Sequence, residues 1–340
     1  MKKIDFIIFL LLCVVLVIPV QGHTEALFVK LGTVLNPEHP TCQALTYFQQ
    51  ELRKISGNQI DLQIFPDAQL GAAPTILEGI QFGDIELGVV SSETLVSLAP
   101  LLSAVSLPYI FRDDGHRFRV LDGPVGGQLL DSLKQRNLIG LGFFDTGMRN
   151  LVTKPRPIKT PADLQNLKIG ITRACPDNDG RNLPAQLTVS TFTAMGAVVE
   201  SLCPEEVYQA FQSDRIDGWE GNVPDCVLLK IVETGAVHFT YSQYSAVPDV
   251  LVASKLWFDT LAPEIQQAIR KAARMTVRHQ RELWTNVVQD AISQLEAAGM
   301  KFETVAREPF YEAVQPVYTK MDEELGPEFA VFVQAIMAVK

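Results

Sequence analysis

The chain has 340 residues, with 29 Lys and Arg against 39 Asp and Glu, for a formal net charge of -10 at neutral pH. That balance, without any block of Lys or Arg, argues against nucleic acid or an anionic membrane as partner, because either needs a basic face to displace counterions. It leaves a small anionic ligand open, since a few buried arginines set the field inside a closed cleft.

Lys2 and Lys3 precede an apolar run from Phe6 to Val20, followed by Gln21 and Gly22. This pattern predicts a secretory signal over residues 1–26, cleaved near residue 22 or 26. The run falls short of the about 20 apolar residues that span a bilayer, and Cys13 lacks the small residue and polar exit of a lipoprotein site. The mature protein is therefore expected to be exported and soluble, with a little over 300 residues, enough for about two domains with real cores. Beyond the signal lie Cys42, Cys175, Cys203 and Cys226, without CxxC spacing. Export permits disulfides; the last three cysteines share one region, their pairing left open, and Cys42 reads as a buried thiol.

From Leu27 to Thr33 the chain reads as extended. Ala44, Leu45, Phe48, Leu52 and Ile55 then share a helix face, and Ile60, Leu62 and Ile64 alternate as in a strand. This βαβ rhythm continues with a helix over 75–81, a strand over 85–90, a turn near Pro108, a helix over 118–135 and a strand over 138–144. Prolines crowd between Thr153 and Pro161, where Thr160-Pro161 starts a second α/β unit with a helix N-cap. Its pattern is a strand over 168–172, a helix over 186–195 and a strand over 197–201.

Glu205 to Asn222 join a short amphipathic helix, carrying Val207, Ala210 and Phe211, to a strand that ends in the polar cluster Asp217-Gly218-Trp219-Glu220-Gly221-Asn222. Glycines inside a strand pattern mark close backbone approach, and strand ends carry ligand contacts as well as ordinary caps. Residues 264–298 contain neither Pro nor Gly and predict one helix long enough to bridge both units.

In order and spacing, several segments resemble one family: the solute-binding proteins of tripartite ATP-independent periplasmic (TRAP) transporters, of the DctP type. They include Phe65-Pro66, Gln69-Leu70-Gly71, residues 81–86, residues 107–111, Gly147-Met148-Arg149-Asn150, residues 160–164, Asn166-Leu167-Lys168-Ile169 and residues 206–212 leading to Asp217-Gly218. The resemblance covers nearly the whole mature chain. It implies an α/β, two-lobed periplasmic-binding fold with a long helix across both lobes. The lobes would comprise 27–146 with about 247–286, and 147–246 with about 287–340. It also implies a monomeric receptor, not an enzyme, that closes on a small organic acid and delivers it to the small and large membrane subunits of an ion-gradient-driven permease; no cofactor is expected. A sensor subunit, or a receptor for an aromatic or neutral solute, is the alternative.

By the same resemblance Arg149 is a carboxylate-binding arginine. A second arginine, usual just after the Leu-Lys-Ile strand, is replaced by Gly170, so Arg173 or Arg181 is the candidate substitute. Trp219, Glu220, Asn222, Gln243, Ser91, Glu93 and Phe144 complete the expected ligand-binding set: Trp219 as a ring to stack on a ligand, with Phe143 and Phe144 as further walls, and Gln243 where relatives often have His. Ser92 reads rather as a helix cap. His23, His39, His116, His238 and His279 are scattered, and neither HExxH nor G-x-S-x-G occurs, so no catalytic or metal residue is assigned. Asp177-Asn178-Asp179-Gly180 lacks the later Glu of a calcium loop.

Overall fold

A computed structural model of the protein describes residues 26–172 and 183–340. The expected signal segment, Arg173, Arg181, Cys175 and the 177–180 turn lie outside the described residues. In chain order the elements are β1 (Leu27–Thr33), α1 (Pro40–Ile55), β2 (Ile60–Phe65), α2 (Ala73–Phe82), β3 (Leu87–Ser91), α3 (Ser92–Val96), α4 (Asp114–Asp122), α5 (Pro124–Ser132) and β4 (Leu138–Phe144). Then follow β5 (Met148–Thr153), β6 (Lys168–Thr172), α6 (Leu183–Ala194), β7 (Val198–Leu202), α7 (Val207–Gln212), β8 (Gly218–Gly221), α8 (Val223–Leu228) and β9 (His238–Ala246). The chain ends with β10 (Asp249–Ser254), α9 (Lys255–Phe258), α10 (Pro263–Ala297), β11 (Lys301–Thr304), α11 (Glu308–Ala313), α12 (Gln315–Leu325) and α13 (Pro327–Ala338).

The strands form two sheets, ordered β2-β1-β3-β10-β4 and β11-β9-β5-β8-β6-β7. β1 pairs in parallel with β2 and β3, as βαβ units require, while β10 enters antiparallel between β3 and β4. The chain therefore crosses from the first sheet to the second between Phe144 and Met148, and returns between Ala246 and Asp249. Two short crossings leave each lobe its own core and make the joint between them the natural place for a hinge.

The 35-residue α10 lies across this joint, packing on α1 and β4 of the first lobe and on α8 of the second. Gln280, buried near its middle, fixes the first crossing: its Oε1 accepts from the Asp145 N–H at 2.8 Å and its Nε2 donates to the Asp145 carbonyl at 2.7 Å. One core joins Val29, Leu31, Phe48, Phe144 and Ile269 in the first lobe, and another joins Leu202, Phe211, Ile216, Trp219 and Phe239 in the second. A third cluster runs through residues of both lobes, among them Val90, Leu102, Leu151, Ile169, Phe192 and Tyr244, and takes in the C-terminal helices.

The helix expected over 118–135 is two helices, α4 and α5, broken at Gly123-Pro124. Pro124 has no N–H to continue the first helix and a φ suited to starting the next. A Cβ on Gly123 would lie 2.5 Å from the Arg119 carbonyl oxygen. Cys203 is disulfide-bonded, whereas Cys42 and Cys226 are buried thiols.

Candidate functional site

Side chains alternate across a strand, so the neighbours Arg149 and Asn150 of β5 serve opposite faces. On the Arg149 face, β8 runs antiparallel to β5 with Glu220 opposite Leu151. The Arg149 guanidinium forks onto the Glu220 carboxylate through Nε to Oε2 and through Nη2 to Oε1, the latter at 2.7 Å. Glu220 also accepts the Thr172 backbone N–H at 3.0 Å and the Tyr244 hydroxyl at 2.7 Å. Four donors thus saturate a carboxylate whose side chain is 1% exposed. The Arg149 side chain is 22% exposed, and Nη1 has no partner among the described residues. Burial works against the Arg149 charge, but Glu220, with Tyr244, holds the group well above the usual arginine range. Glu220 therefore aims a permanent cation and leaves one edge of the fork for a second carboxylate, the arrangement in which arginine binds bidentately.

The first lobe supplies Glu93. β3 ends at Ser91, whose Oγ accepts the Glu93 N–H at 3.1 Å and caps α3, so the cap is Ser91 rather than Ser92. Ser92 is buried with its N–H on the Pro248 carbonyl at 2.9 Å and its hydroxyl without a partner among the described residues. Burial raises the Glu93 carboxyl above the usual range, Arg149 partly offsets this, and Glu220 adds to it.

Two further buried acids were missed by sequence reasoning, and of the two Asp225 feels the pull of Arg149. Asp225, in the first turn of α8, is pushed up to about 6 by burial, against the pull of Arg149. Asp249, in register with Ser91, is pushed up to about 7 by burial. The signal was an acid opening the otherwise apolar strand Asp249–Ser254, and another three residues after a capping Asn. Carboxyls that titrate so high are partly protonated near neutrality and donate as well as accept hydrogen bonds.

The other expected ligand residues fall elsewhere. Trp219 is 2% exposed. Its Nε1 donates to Thr172 Oγ1 at 2.9 Å, and its ring covers Gly221, where a Cβ would sit 2.1 Å from Cη2. The stacking ring expected there is a packing residue of the second-lobe core. Gly170 shares that face: a Cβ would lie 3.0 Å from Leu202 and 3.1 Å from Ile216, so a longer side chain there starts into core, away from Arg149.

Asn222 caps α8 by accepting the Asp225 N–H at 2.9 Å, and its amide reaches the Thr146 carbonyl at 3.4 Å. With Gln243 it lines a separate cavity of about 230 Å³, beside Asn150, Arg117, Asp145 and Trp284. Gln243 has φ +46 and gives its N–H to Asn150 Oδ1 at 2.9 Å. Phe144 is fully buried in the first-lobe core and Phe143 in the shared cluster, so neither forms a wall of the Arg149 site. The structure thus brings together Arg149, Glu220 and Glu93 with Ser91 as cap, and places Trp219, Asn222, Gln243 and Phe144 in other roles.

Two α/β lobes joined by short crossings and a bridging helix, with one aimed cation facing an acid from the other lobe, define a solute-binding protein of the periplasmic type. The chain belongs to the DctP family, bacterial extracellular solute-binding proteins of family 7, whose model matches residues 31–324. It is 29% identical over 295 residues to the 2,3-diketo-L-gulonate-binding periplasmic protein of Escherichia coli, covering 86% of each chain. A TRAP periplasmic solute-binding protein of Bradyrhizobium, solved in complex with D-galacturonate, is 31% identical, with TM-score 0.76 over 91% of this chain and 99% of that one. Another from Chromohalobacter salexigens, with bound D-glucuronate, is 26% identical, with TM-score 0.81 over 92% of this chain and all of the other.

Proposed function

We propose that the protein captures a sugar acid bearing one carboxylate, by closure of its lobes, and passes it to the membrane subunits of a TRAP permease. The observation that carries this reading is the open edge of Arg149, a cation already half used by Glu220 and facing Glu93. One such edge takes one carboxylate, and Gly170 contributes no second cation on that face. Around it Glu93 and Asp225 suit hydroxyl groups better than a second anion, since like charge beside an acid is costly and an acid raised to about 6, as Asp225 is, bonds a hydroxyl in either sense. A carboxylate with a row of hydroxyls meets both demands, as do the uronates of the relatives named above. An aromatic solute lacks its walls, because Trp219, Phe143 and Phe144 are buried.

Within this reading the lobes are residues 27–146 with about 247–286, and 147–246 with about 287–340. The signal is removed near residue 22 or 26 in the periplasm, and the receptor works as a monomer without catalysis. Thermal melting of residues 27–340 against uronates, aldonates, C4-dicarboxylates, neutral sugars and amines tests it, because a ligand of the folded state raises apparent stability by mass action. Uronates or aldonates should give the largest shift; a shift from neutral sugars or amines alone would overturn the assignment.

A further inference from the structure

Away from the Arg149 site, a cavity of about 390 Å³ opens between residues 109–112, the start of α11 and the end of α13. Its lining is Tyr109, Ile110, Arg112, Arg307, Glu308, Tyr311 and Met337. Neither Arg112 nor Arg307 has a carboxylate within ion-pair distance among the described residues. They are held instead by main-chain carbonyls: Arg112 by those of Met337, at 2.9 Å, and Val339, and Arg307 by those of Phe111, Arg112 and Gln243. Carbonyls fix a guanidinium without neutralising it, so two oriented positive charges stand at one cavity, with the exposed Glu308 as the acid of its described lining and Asp113 acting on both without an ion pair.

A second, independent feature points the same way. Tyr109 is 7% exposed, yet its hydroxyl has no hydrogen-bond partner among the described residues. Buried hydroxyls are normally satisfied, so an orphan on a cavity wall marks a place where a ligand supplies the missing bond. Tyr109 also holds φ +62, a left-handed conformation uncommon for a bulky residue, with the Arg307 guanidinium 5.4 Å from its ring centroid. The remaining walls, Ile110, Tyr311 and Met337, are apolar or aromatic.

We infer that this cavity is a second binding site, which takes a small monocarboxylate with an apolar or aromatic body. The carboxylate meets Arg112, Arg307 and the Tyr109 hydroxyl, while the body fills the space against Ile110, Tyr311 and Met337. The site touches the solute site at one point: the Tyr109 N–H donates to the Tyr244 carbonyl at 2.6 Å, and the Tyr244 hydroxyl holds Glu220.

The test follows the methyl resonance of Met337 in methyl-labelled protein during titration with benzoate, and separately with inorganic phosphate. Benzoate should shift it saturably, also with D-galacturonate present, and Arg112→Gln and Tyr109→Phe should each raise the apparent dissociation constant about tenfold while the protein stays folded by melting. Because Arg307 holds three carbonyls, its substitution is not used. An unsaturable shift, loss of the shift when galacturonate is added, unchanged affinity in both variants, or an equal response to phosphate would each overturn the inference.

Discussion

Trp219 and Glu220 are neighbours in one four-residue strand, and they show how differently the two faces of the second sheet are used. On one face Glu220 is surrounded by donors and aims Arg149 outward. On the other, Trp219 fills the room left by Gly221 beside Leu202 and Ile216, which crowd Gly170, and satisfies its only polar side-chain atom on Thr172. A polar site needs buried charges paired so that one edge stays free, whereas a packed face needs volumes that fit. Only the first is expected to answer to ligand chemistry, and substitutions should separate the two.

The largest effect is expected at Arg149. Arg149→Ala should weaken uronate binding by about 2 to 5 kcal/mol, the range for losing one partner of a desolvated charge pair, as read by calorimetric titration. The same change should also destabilise the fold by about 3 kcal/mol, because it strips Glu220 of its counter-ion in a buried place. Unchanged affinity would remove Arg149 from the site.

On the packed face, Gly221→Ala drives a Cβ into the Trp219 ring and should cost about 1 to 3 kcal/mol through overpacking, measured by urea denaturation. Gly170→Arg, the change that would install the arginine expected there from the family resemblance, meets Leu202 and Ile216 and should destabilise by a similar amount. It should not tighten uronate binding; a gain in affinity would show that position 170 serves the Arg149 face after all.

A smaller effect should come from pH. The Asp249 carboxyl titrates near 7 when folded and near 3.9 unfolded, so the folded state keeps a proton that the unfolded chain gives up. Its stabilising effect is full below about pH 4 and is lost as pH rises through 7. Asp225, raised to about 6, acts in the same sense. Stability should therefore fall from pH 5 to pH 8, and Asp249→Asn should flatten that slope by on the order of 2 kcal/mol. A slope that survives Asp249→Asn intact would assign it to other groups.

Much of the fold was legible because its signals are local. Alternation in Ile60, Leu62 and Ile64, the Pro-free and Gly-free run that became α10, and the strands Leu138–Phe144 and Lys168–Thr172 all read from spacing alone. The break at Gly123-Pro124 was the exception: Asp122-Gly123-Pro124 reads as a turn by its residues, yet apolar periodicity on both sides suggested one helix through it. At the site, Arg149 and Glu220 were visible as charges beside a strand end, but their pairing across β5 and β8 depends on register. Alternation turns Trp219 to the face opposite Glu220, and Asn222, beyond the strand end, is turned aside by capping α8. Asp225 and Asp249 stayed hidden because the burial that raises them comes from elements distant in the chain.

The most direct measurement is a crystal structure of the mature protein with D-galacturonate bound. A carboxylate oxygen within about 3.0 Å of Arg149 Nη1, with Glu220 still engaged behind it and the sugar hydroxyls against Glu93, is the predicted result. A carboxylate bound elsewhere, with Arg149 facing only hydroxyls or water, would contradict the account.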